Sequence, residues 1–440
     1  MGTDIIVRDA HRHDSCLPLT ELTKPTLLQA LGDKRMMAVL LMSFASGLPF
    51  NLTGFTLQAW LASEGLDIKT IGIFTLVGLP YLFKFLWAPL LDRYLPPILG
   101  RRRGWILIYQ ICLAIAIAVM GFCSPTKELF VLGAVAVLVA ILSASQDIVI
   151  DAYRVDTIPV SERGLAAAVQ SFGYRTAGTL AGAVLVLIAA HLGWRLAFLV
   201  VACLMAATTI GTIWAPEPEV PGKPPRTLLD AVWHPLRALL SQKGAWGFVL
   251  LVLLYKVGDA LALSLYSAFM IKGVGFSLAE LSIAGKVNMT VSTMIGVTFG
   301  GWMFMRWGTF KSLLIFGIGQ ALTNLLYVWL ALAGKKVWLL VLATSLDTGI
   351  GGMGLAAFVA FLVSLCNANF SATQYALLSA LASIPSKVMG YVASIVVSHI
   401  GWANFFVVTC LTATPGIIVL VILRKSLNEL EAREAASAAA

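Results

Sequence analysis

The sequence predicts an all-α polytopic membrane protein whose twelve transmembrane helices form two six-helix bundles, with both termini in the cytoplasm. Three observations indicate this fold class: the composition, twelve apolar segments of spanning length, and a repeat that relates the two halves. Of the 440 residues, 59% are hydrophobic and only 12% are charged, and the mean hydropathy is +0.88. Soluble domains carry about 25% charged residues, so the composition excludes a soluble protein.

Each crossing of a bilayer requires about 20 predominantly apolar residues. The sequence contains twelve such segments, at 36–62, 71–91, 104–123, 129–153, 166–190, 194–214, 246–271, 279–303, 311–333, 337–366, 372–398 and 402–423. The first 30 residues are polar and mixed in charge sign, without the apolar core of a signal peptide. The predicted organisation is a cytoplasmic tail at 1–35, a bundle at 36–214, a cytoplasmic linker with an interfacial helix at 215–245, a second bundle at 246–423 and a cytoplasmic tail at 424–440.

The distribution of Lys and Arg predicts the orientation of the chain. With both termini inside, the inner loops and tails hold 20 of the 31 Lys and Arg residues, the outer loops hold six, and five lie within spans. An excess of positive charge marks the cytoplasmic side. We therefore read the net charge of +9 as an orientation signal and expect no nucleic-acid partner. The six cysteines show no CxxC spacing, which favours small apolar core residues over a metal site.

Two short motifs repeat in corresponding positions of the two halves. His191-Leu-Gly-Trp194 recurs as His399-Ile-Gly-Trp402, and Ser145-Gln-Asp147 recurs as Ser345-Leu-Asp347. Two parallel six-helix repeats joined by a cytoplasmic linker resemble the major facilitator superfamily of secondary transporters. That resemblance implies transport by alternating access of one central site.

Ionisable residues within the spans are the main clue to function. Nine of them lie in spans or at their inner margins: Lys84, Asp147, Asp151, Arg175, Lys256, Asp259, Lys286, Asp347 and Lys387. At about 3 kcal/mol each, leaving all nine uncompensated would cost about 27 kcal/mol, well above a net folding stability of about 5–15 kcal/mol. They must be paired, hydrated in a cavity, or both. The excess of cations suits an anionic solute.

Three of the carboxylates are candidates for proton coupling. Asp147 and Asp347 have no cation three or four residues away, and burial favours the neutral form of a carboxyl group. We therefore expect at least one of them, or Asp259, to bind and release a proton. The alternative for Asp259 is simple neutralisation by Lys256, its i,i+3 neighbour.

A polar stripe at the inner end of the fourth span predicts a cytoplasmic gate. Ser143, Asp147, Asp151 and Arg154 fall on one helical face. Near the inner end of that stripe, we expect Asp151 and Arg154 to clamp the basic loop at 92–103. Asp92 and Arg93 at the start of this loop complete the predicted gate.

Longer motifs resemble a specific family, in order, from about residue 36 to 425. They include Phe44-Ala-Ser-Gly-Leu-Pro49, Phe83-Lys-Phe-Leu-Trp87, Ser143-Ala-Ser-Gln-Asp-Ile-Val149, Tyr255-Lys-Val-Gly-Asp-Ala260 and Gly351-Gly-Met-Gly354. These runs are similar to the AmpG family of bacterial muropeptide permeases. The resemblance implies a multi-pass protein of the bacterial inner membrane that imports N-acetylglucosaminyl-1,6-anhydro-N-acetylmuramyl peptides from periplasm to cytoplasm. It implies that the proton motive force drives import, without a cofactor, and that import feeds the signal for β-lactamase induction.

The polar residues of the spans suit such a substrate, which offers sugar hydroxyls, N-acetyl groups and peptide carboxylates. Amides and hydroxyls would bind the sugars, Trp60 would offer a flat face to a ring, and cations would bind the carboxylates. The substrate-binding candidates are Asn51, Thr53, Gln58, Trp60, Lys84, Gln146, Tyr174, Arg175, Lys256, Lys286 and Lys387.

Other functions remain alternatives at this point. Within transport, the chain could be an acetyl-CoA-type carrier or another carrier of anionic solutes. An enzyme is disfavoured because the five histidines lie in the tail or at the margins of predicted helices, and because no phosphate-binding glycine motif is present. A lipid scramblase needs a polar groove open to lipid, whereas the nine charges avoid the spans predicted to face lipid. We expect the transporter to act as a monomer in the lipid bilayer.

Overall fold

The computed structural model describes residues 33–158, 162–218, 244–365 and 371–439, together with Arg237. Within these residues the regular elements are all helices, which confirms the predicted class. The N-terminal helices are α1 (Lys34–Ser63), α2 (Ile68–Leu86), α3 (Arg101–Phe122), α4 (Leu129–Thr157), α5 (from Arg163 to Leu192) and α6 (Trp194–Trp214). The C-terminal helices are α7 (Ala245–Val274), α8 (Leu278–Ala333), α9 (Val337–Ser364) and α10 (Ser371–Ile422), followed by α11 (Arg424–Ala439).

In the described part of the chain, ten helical segments are long and apolar enough to cross a membrane, so the protein is a multi-pass membrane protein. Two of them far exceed the length of one crossing: α8 has 56 residues, and the apolar part of α10 has 46. Each contains a glycine with a positive φ, Gly308 at 73° and Gly401 at 75°. This left-handed conformation suits glycine, which lacks a Cβ, and it interrupts the helical path. The predicted N-terminal tail and the linker helix lie almost entirely outside the described residues.

A third pair of related positions, Gly100 and Gly308, strengthens the internal repeat. Helix α3 begins after Gly100, and the second part of α8 begins after Gly308, both with positive φ. The Glu217 carboxylate accepts hydrogen bonds from two backbone N–H groups in the first turn of α3, at 3.0 and 3.2 Å. The Glu431 carboxylate accepts one from the backbone N–H that follows Gly308. Because first-turn N–H groups lack partners within their helix, each glutamate ties a helix start to the segment that follows α6 or α10.

The apolar core shows how the two sets of helices meet. At one end, which carries the turns at 64–67 and 275–277, buried residues such as Leu57 and Phe269 belong to one cluster that spans both sets. Towards the other end the described core divides into a cluster around Tyr153 in the N-terminal helices and a cluster around Phe361 in the C-terminal helices. We call these the closed end and the open end.

Candidate functional site

Four of the helices that meet near the closed end contain a π-helical segment. These segments are Leu52–Thr56 in α1, Leu180–Val184 in α5, Phe269–Val274 in α7 and Leu281–Val287 in α8. A π-helical segment changes the backbone hydrogen-bond pattern, and such segments are frequent at functional sites. Here the segments of α1 and α5 supply carbonyl groups to side chains of neighbouring helices.

Hydrogen bonds between the two sets of helices seal the closed end. Ser267 Oγ donates to the carbonyl of Phe55, in the α1 π-segment, at 3.1 Å. Ser282 Oγ donates to the carbonyl of Ala183, in the α5 π-segment, at 2.7 Å. Further bonds join the same end: Gln58 Nε2 to the Ser264 carbonyl at 2.9 Å and Lys272 Nζ to the Gly65 carbonyl at 2.9 Å. The sequence predicts that Gln58 binds the solute, whereas the structure places it in this seal.

A cavity of about 560 Å³ lies between the two sets of helices, and α1, α5 and α8 form its walls. Most of its lining residues have polar side chains: Asn51, Gln170, Ser171, Tyr174, Arg175, Gly178, Thr179, Lys286, Met289, Thr290 and Thr293. It contains two cations, and none of the described lining residues is a carboxylate. We call it the first cavity.

The two cations of the first cavity are held differently. Lys286 Nζ donates to Asn51 Oδ1 at 3.1 Å and lies 4.9 Å from the centre of the Phe55 ring. Gly182 leaves room for this lysine, because a Cβ at that position would lie 2.7 Å from Lys286 Cε. Arg175 forms no ion pair with any carboxylate in the described ranges. The guanidinium is therefore available to an anionic group of a solute.

Asp147 lies in a separate polar group formed by N-terminal helices and by Lys387 of α10. It accepts a hydrogen bond from Ser46 Oγ at 2.5 Å and interacts electrostatically with Lys84 and Lys387. Lys387 Nζ lies above two aromatic rings, 4.5 Å from the centre of the Phe50 ring and 5.2 Å from the centre of the Tyr81 ring. The sequence alone does not single out these two rings, because aromatic side chains in spans are also typical of surfaces that face lipid.

Asp347 occupies a different environment from Asp147, although the sequence repeat relates the two. It is 1% exposed and lies within the C-terminal helices. Its carboxylate accepts hydrogen bonds from Gln320 Nε2 at 2.6 Å, Thr323 Oγ1 at 2.9 Å and Tyr327 OH at 3.0 Å. The matching positions of Asp147 and Asp347 in the two halves predict that both face one shared cavity. The structure differs, because hydroxyl and amide groups of α8 enclose Asp347.

Lys256 and Asp259 form the ion pair that their spacing allowed, with Nζ and Oδ2 3.0 Å apart. The pair lies in the wall of a second cavity, of about 520 Å³, between α7, α9 and α10. Both side chains are about one-fifth exposed, at 20% and 21%. The proton-coupling candidate Asp259 is thus paired, as the simpler alternative predicted.

The structure brings together four of the eleven binding candidates in the first cavity: Asn51, Tyr174, Arg175 and Lys286. Trp60 is 2% exposed and packs against Trp194 and Phe198, with ring centres 5.8 and 4.8 Å away. Its ring therefore contacts protein and offers no face to a sugar. Thr53 Oγ1 donates to the Pro49 carbonyl in its own helix at 3.1 Å, and Gln146 is fully buried.

The predicted gate residues are connected in an unexpected way. Gln170 Nε2 donates to Asp151 Oδ1 at 2.9 Å, and Arg154 donates to Gln170 Oε1, so both gate residues of α4 contact α5. The basic loop is held instead by Arg102, whose Nε lies 2.7 Å from Asp156 Oδ2, and by Glu217. The side chains of Asp92 and Arg93 lie outside the described residues. Gln170 and Asp156 carry no motif that marks them in the sequence, whereas Glu217 lies in Ala215-Pro-Glu-Pro218, a run that resembles the AmpG family.

Comparison with known proteins places the chain in a family. The sequence model of the protein family Major Facilitator Superfamily matches residues 39–387 of this chain. The anhydromuropeptide permease of Escherichia coli K12 is 44% identical over 402 residues, which cover 91% of this chain and 82% of that protein. The putative transporter AmpG 4 of Rickettsia felis is 30% identical over 406 residues, 90% of this chain and 98% of its own.

A solved structure shows the same fold. A bacterial homologue of the human lysosomal transporter Spinster, in an inward-facing and unoccupied conformation, superposes with a TM-score of 0.71 at 15% identity. The match covers 93% of this chain and 99% of that one. The family assignment confirms a transporter rather than an enzyme. The chain belongs to the Major Facilitator Superfamily and, within it, to the AmpG family of permeases.

Proposed function

We propose that the protein imports anhydromuropeptides from periplasm to cytoplasm by proton symport. The observation that carries this proposal is the first cavity, where Arg175 and Lys286 stand without a described lining carboxylate. The name of the Escherichia coli relative, an anhydromuropeptide permease, supplies the substrate class. A muropeptide joins peptide carboxylates to N-acetylated sugars, and both parts match the lining.

Each part of the solute has a complementary group in the first cavity. The guanidinium of Arg175, which forms no ion pair within the described part of the chain, suits a carboxylate, because charge-assisted hydrogen bonds are stronger than neutral ones. Asn51, Thr179 and Thr290 offer amide and hydroxyl groups to sugar hydroxyls and N-acetyl groups. Lys286 already donates to Asn51, so binding of a carboxylate to Lys286 would loosen a contact between the two sets of helices.

The proposed topology has twelve crossings with both termini in the cytoplasm. The ten apolar segments give twelve crossings if α8 and α10 each cross twice, turning at Gly308 and Gly401. The six Lys and Arg residues of the outer loops then lie around the closed end, at Lys69, Lys127, Arg195, Lys272, Lys335 and Lys336. In this orientation the closed end faces the periplasm of an inner-membrane protein, and the cavity opens towards the cytoplasm.

For the coupling step we propose proton binding at Asp147, with Asp347 as a second candidate. Protonation of Asp147 would remove the negative charge that Lys84 and Lys387 now face. The cations would then attract the anionic solute more strongly, so proton and solute would favour each other's binding. The proton gradient alone supplies the energy in this scheme.

The test is a binding measurement on the purified full chain with the anhydro-disaccharide, with and without its peptide. Replacing Arg175 by Gln removes a charge-assisted hydrogen bond worth about 1.5–3 kcal/mol. We therefore expect Arg175→Gln to weaken binding of the peptide-bearing form at least about tenfold, with a small effect on the peptide-free form.

The matched control is Arg195→Gln, because the Arg195 guanidinium lies 4.2 Å from the centre of the Phe122 ring, outside the first cavity. This control should bind both ligands as the wild type does. Equal weakening of both ligands by Arg175→Gln would remove the carboxylate assignment. Binding of acetyl-CoA in place of either sugar would contradict the proposed substrate class and favour the alternative carrier type.

A further inference from the structure

The second cavity, in the C-terminal helices, takes no part in the carboxylate recognition proposed above. Most of its wall is apolar, and its polar groups include the Lys256–Asp259 ion pair and the hydroxyl-bearing residues Ser383 and Ser386. Lys256 Nζ also lies 5.6 Å from the centre of the Phe358 ring. An ion pair in the wall of a largely apolar cavity is partly withdrawn from water, so both charges need matched partners.

The two cavities differ in charge. The described lining of the second cavity holds one cation and one carboxylate, Lys256 and Asp259, whose Nζ and Oδ2 lie 3.0 Å apart. The first cavity has two cations and no described lining carboxylate. Complementary potentials direct charged groups to matching sites. A solute that carries both signs would therefore place its ammonium group in the second cavity and an isolated carboxylate in the first.

We propose that the second cavity binds a zwitterionic group of the solute, with the ammonium on Asp259 and the adjacent carboxylate on Lys256. Such a group exchanges one internal ion pair for two intermolecular ones, and every charge stays matched. A solute group with only one charge would leave Lys256 or Asp259 unpaired, at a large cost in a partly desolvated site. This inference rests on the proposed function, because the peptide of a muropeptide supplies amino and carboxylate groups.

The experiment compares two sugar-peptides that are identical except at one amine, which is free in the first and N-acetylated in the second. Acetylation removes the positive charge and keeps the neighbouring carboxylate. We expect the wild-type chain to bind the free amine at least about tenfold more tightly. Asp259→Asn should abolish this difference without weakening binding of the acetylated peptide, because no carboxylate is then left unpaired, and Asp259→Glu should retain the difference.

The matched control is Glu280→Gln, which breaks a similar ion pair at the closed end, where Lys335 Nζ lies 2.8 Å from Glu280 Oε2. This variant should discriminate as the wild type does. Equal affinity of the wild type for both peptides overturns the inference. This comparison uses only the wild-type chain, so it does not depend on whether a variant folds. Equal weakening of both peptides by Asp259→Asn also overturns it, since the ion pair would then serve structure only. If neither peptide binds the wild type, the proposed function itself fails.

Discussion

Removing the two hydroxyl groups that seal the closed end should open it. In the double variant Ser267→Ala with Ser282→Ala, the carbonyls of Phe55 and Ala183 lose their donors at 3.1 and 2.7 Å. Each lost hydrogen bond costs about 0.5–1.5 kcal/mol, so the closed arrangement loses about 1–3 kcal/mol. When the closed end opens, water can satisfy the same carbonyls. The fraction of molecules in which the two sets of helices have separated at the closed end should therefore rise about 5- to 150-fold.

The assay follows the labelling of a cysteine placed at Ala268, which is 0% exposed in the seal, in a chain whose native cysteines are replaced. In lipid nanodiscs, a water-soluble maleimide should label this cysteine faster in the double variant, by a factor within that range. Ser398→Ala is the control, because the described contacts of Ser398 Oγ stay within its own helix, with the Ile395 carbonyl at 2.7 Å and His399 Nδ1 at 3.3 Å. An unchanged labelling rate in a folded double variant would refute the role of the seal.

Three further predictions concern buried polar and aromatic residues. Asp347→Asn should lower the melting temperature more than Asp147→Asn, because Asp347 accepts three hydrogen bonds and Asp147 accepts one from Ser46. Leaving one buried donor without an acceptor costs about 1–3 kcal/mol. Equal melting temperatures of the two variants would contradict this prediction. Glu217→Gln and Glu431→Gln should each lower the free energy of unfolding by about 0.5–2 kcal/mol. As the control, Glu64→Gln at an exposed position should not change the melting temperature. A loss confined to one of the two variants would argue that the two glutamates do not play equivalent roles at their helix starts. Trp60→Ala should destabilise the folded protein by about 3–5 kcal/mol and leave the affinity of the folded fraction for the disaccharide unchanged. A selective loss of sugar binding would show that the Trp60 ring faces the solute.

The fold and part of the site follow from the sequence because both rest on the cost of polar groups in a membrane. Apolar length predicts where helices cross, and polar residues inside a span must face protein or water. Asn51, Tyr174, Arg175 and Lys286 were identified on these grounds, and they line one cavity.

The positions of the other predicted site residues depend on which helix faces which neighbour. Helical periodicity does not predict this pairing of helices. Asp347 satisfies the same electrostatic requirement with donors from α8 instead of a hydrated cavity. Trp60 and Gln58 lie on the cavity-forming helix α1, but packing assigns the first to an aromatic cluster and the second to the seal. The π-helical segments leave no mark in the hydropathy pattern, because they change backbone hydrogen bonding without changing which residues are apolar.

The most direct test is uptake by the purified chain in proteoliposomes under an imposed pH gradient, acidic on the side that corresponds to the periplasm. Two labelled muropeptides are compared, the 1,6-anhydro form and its reducing-end counterpart. We predict that the anhydro form accumulates above its outside concentration, that a protonophore abolishes accumulation, and that the reducing-end form enters poorly. Accumulation that does not depend on the pH gradient would contradict proton symport. Equal uptake of both forms would contradict selectivity for the anhydro sugar.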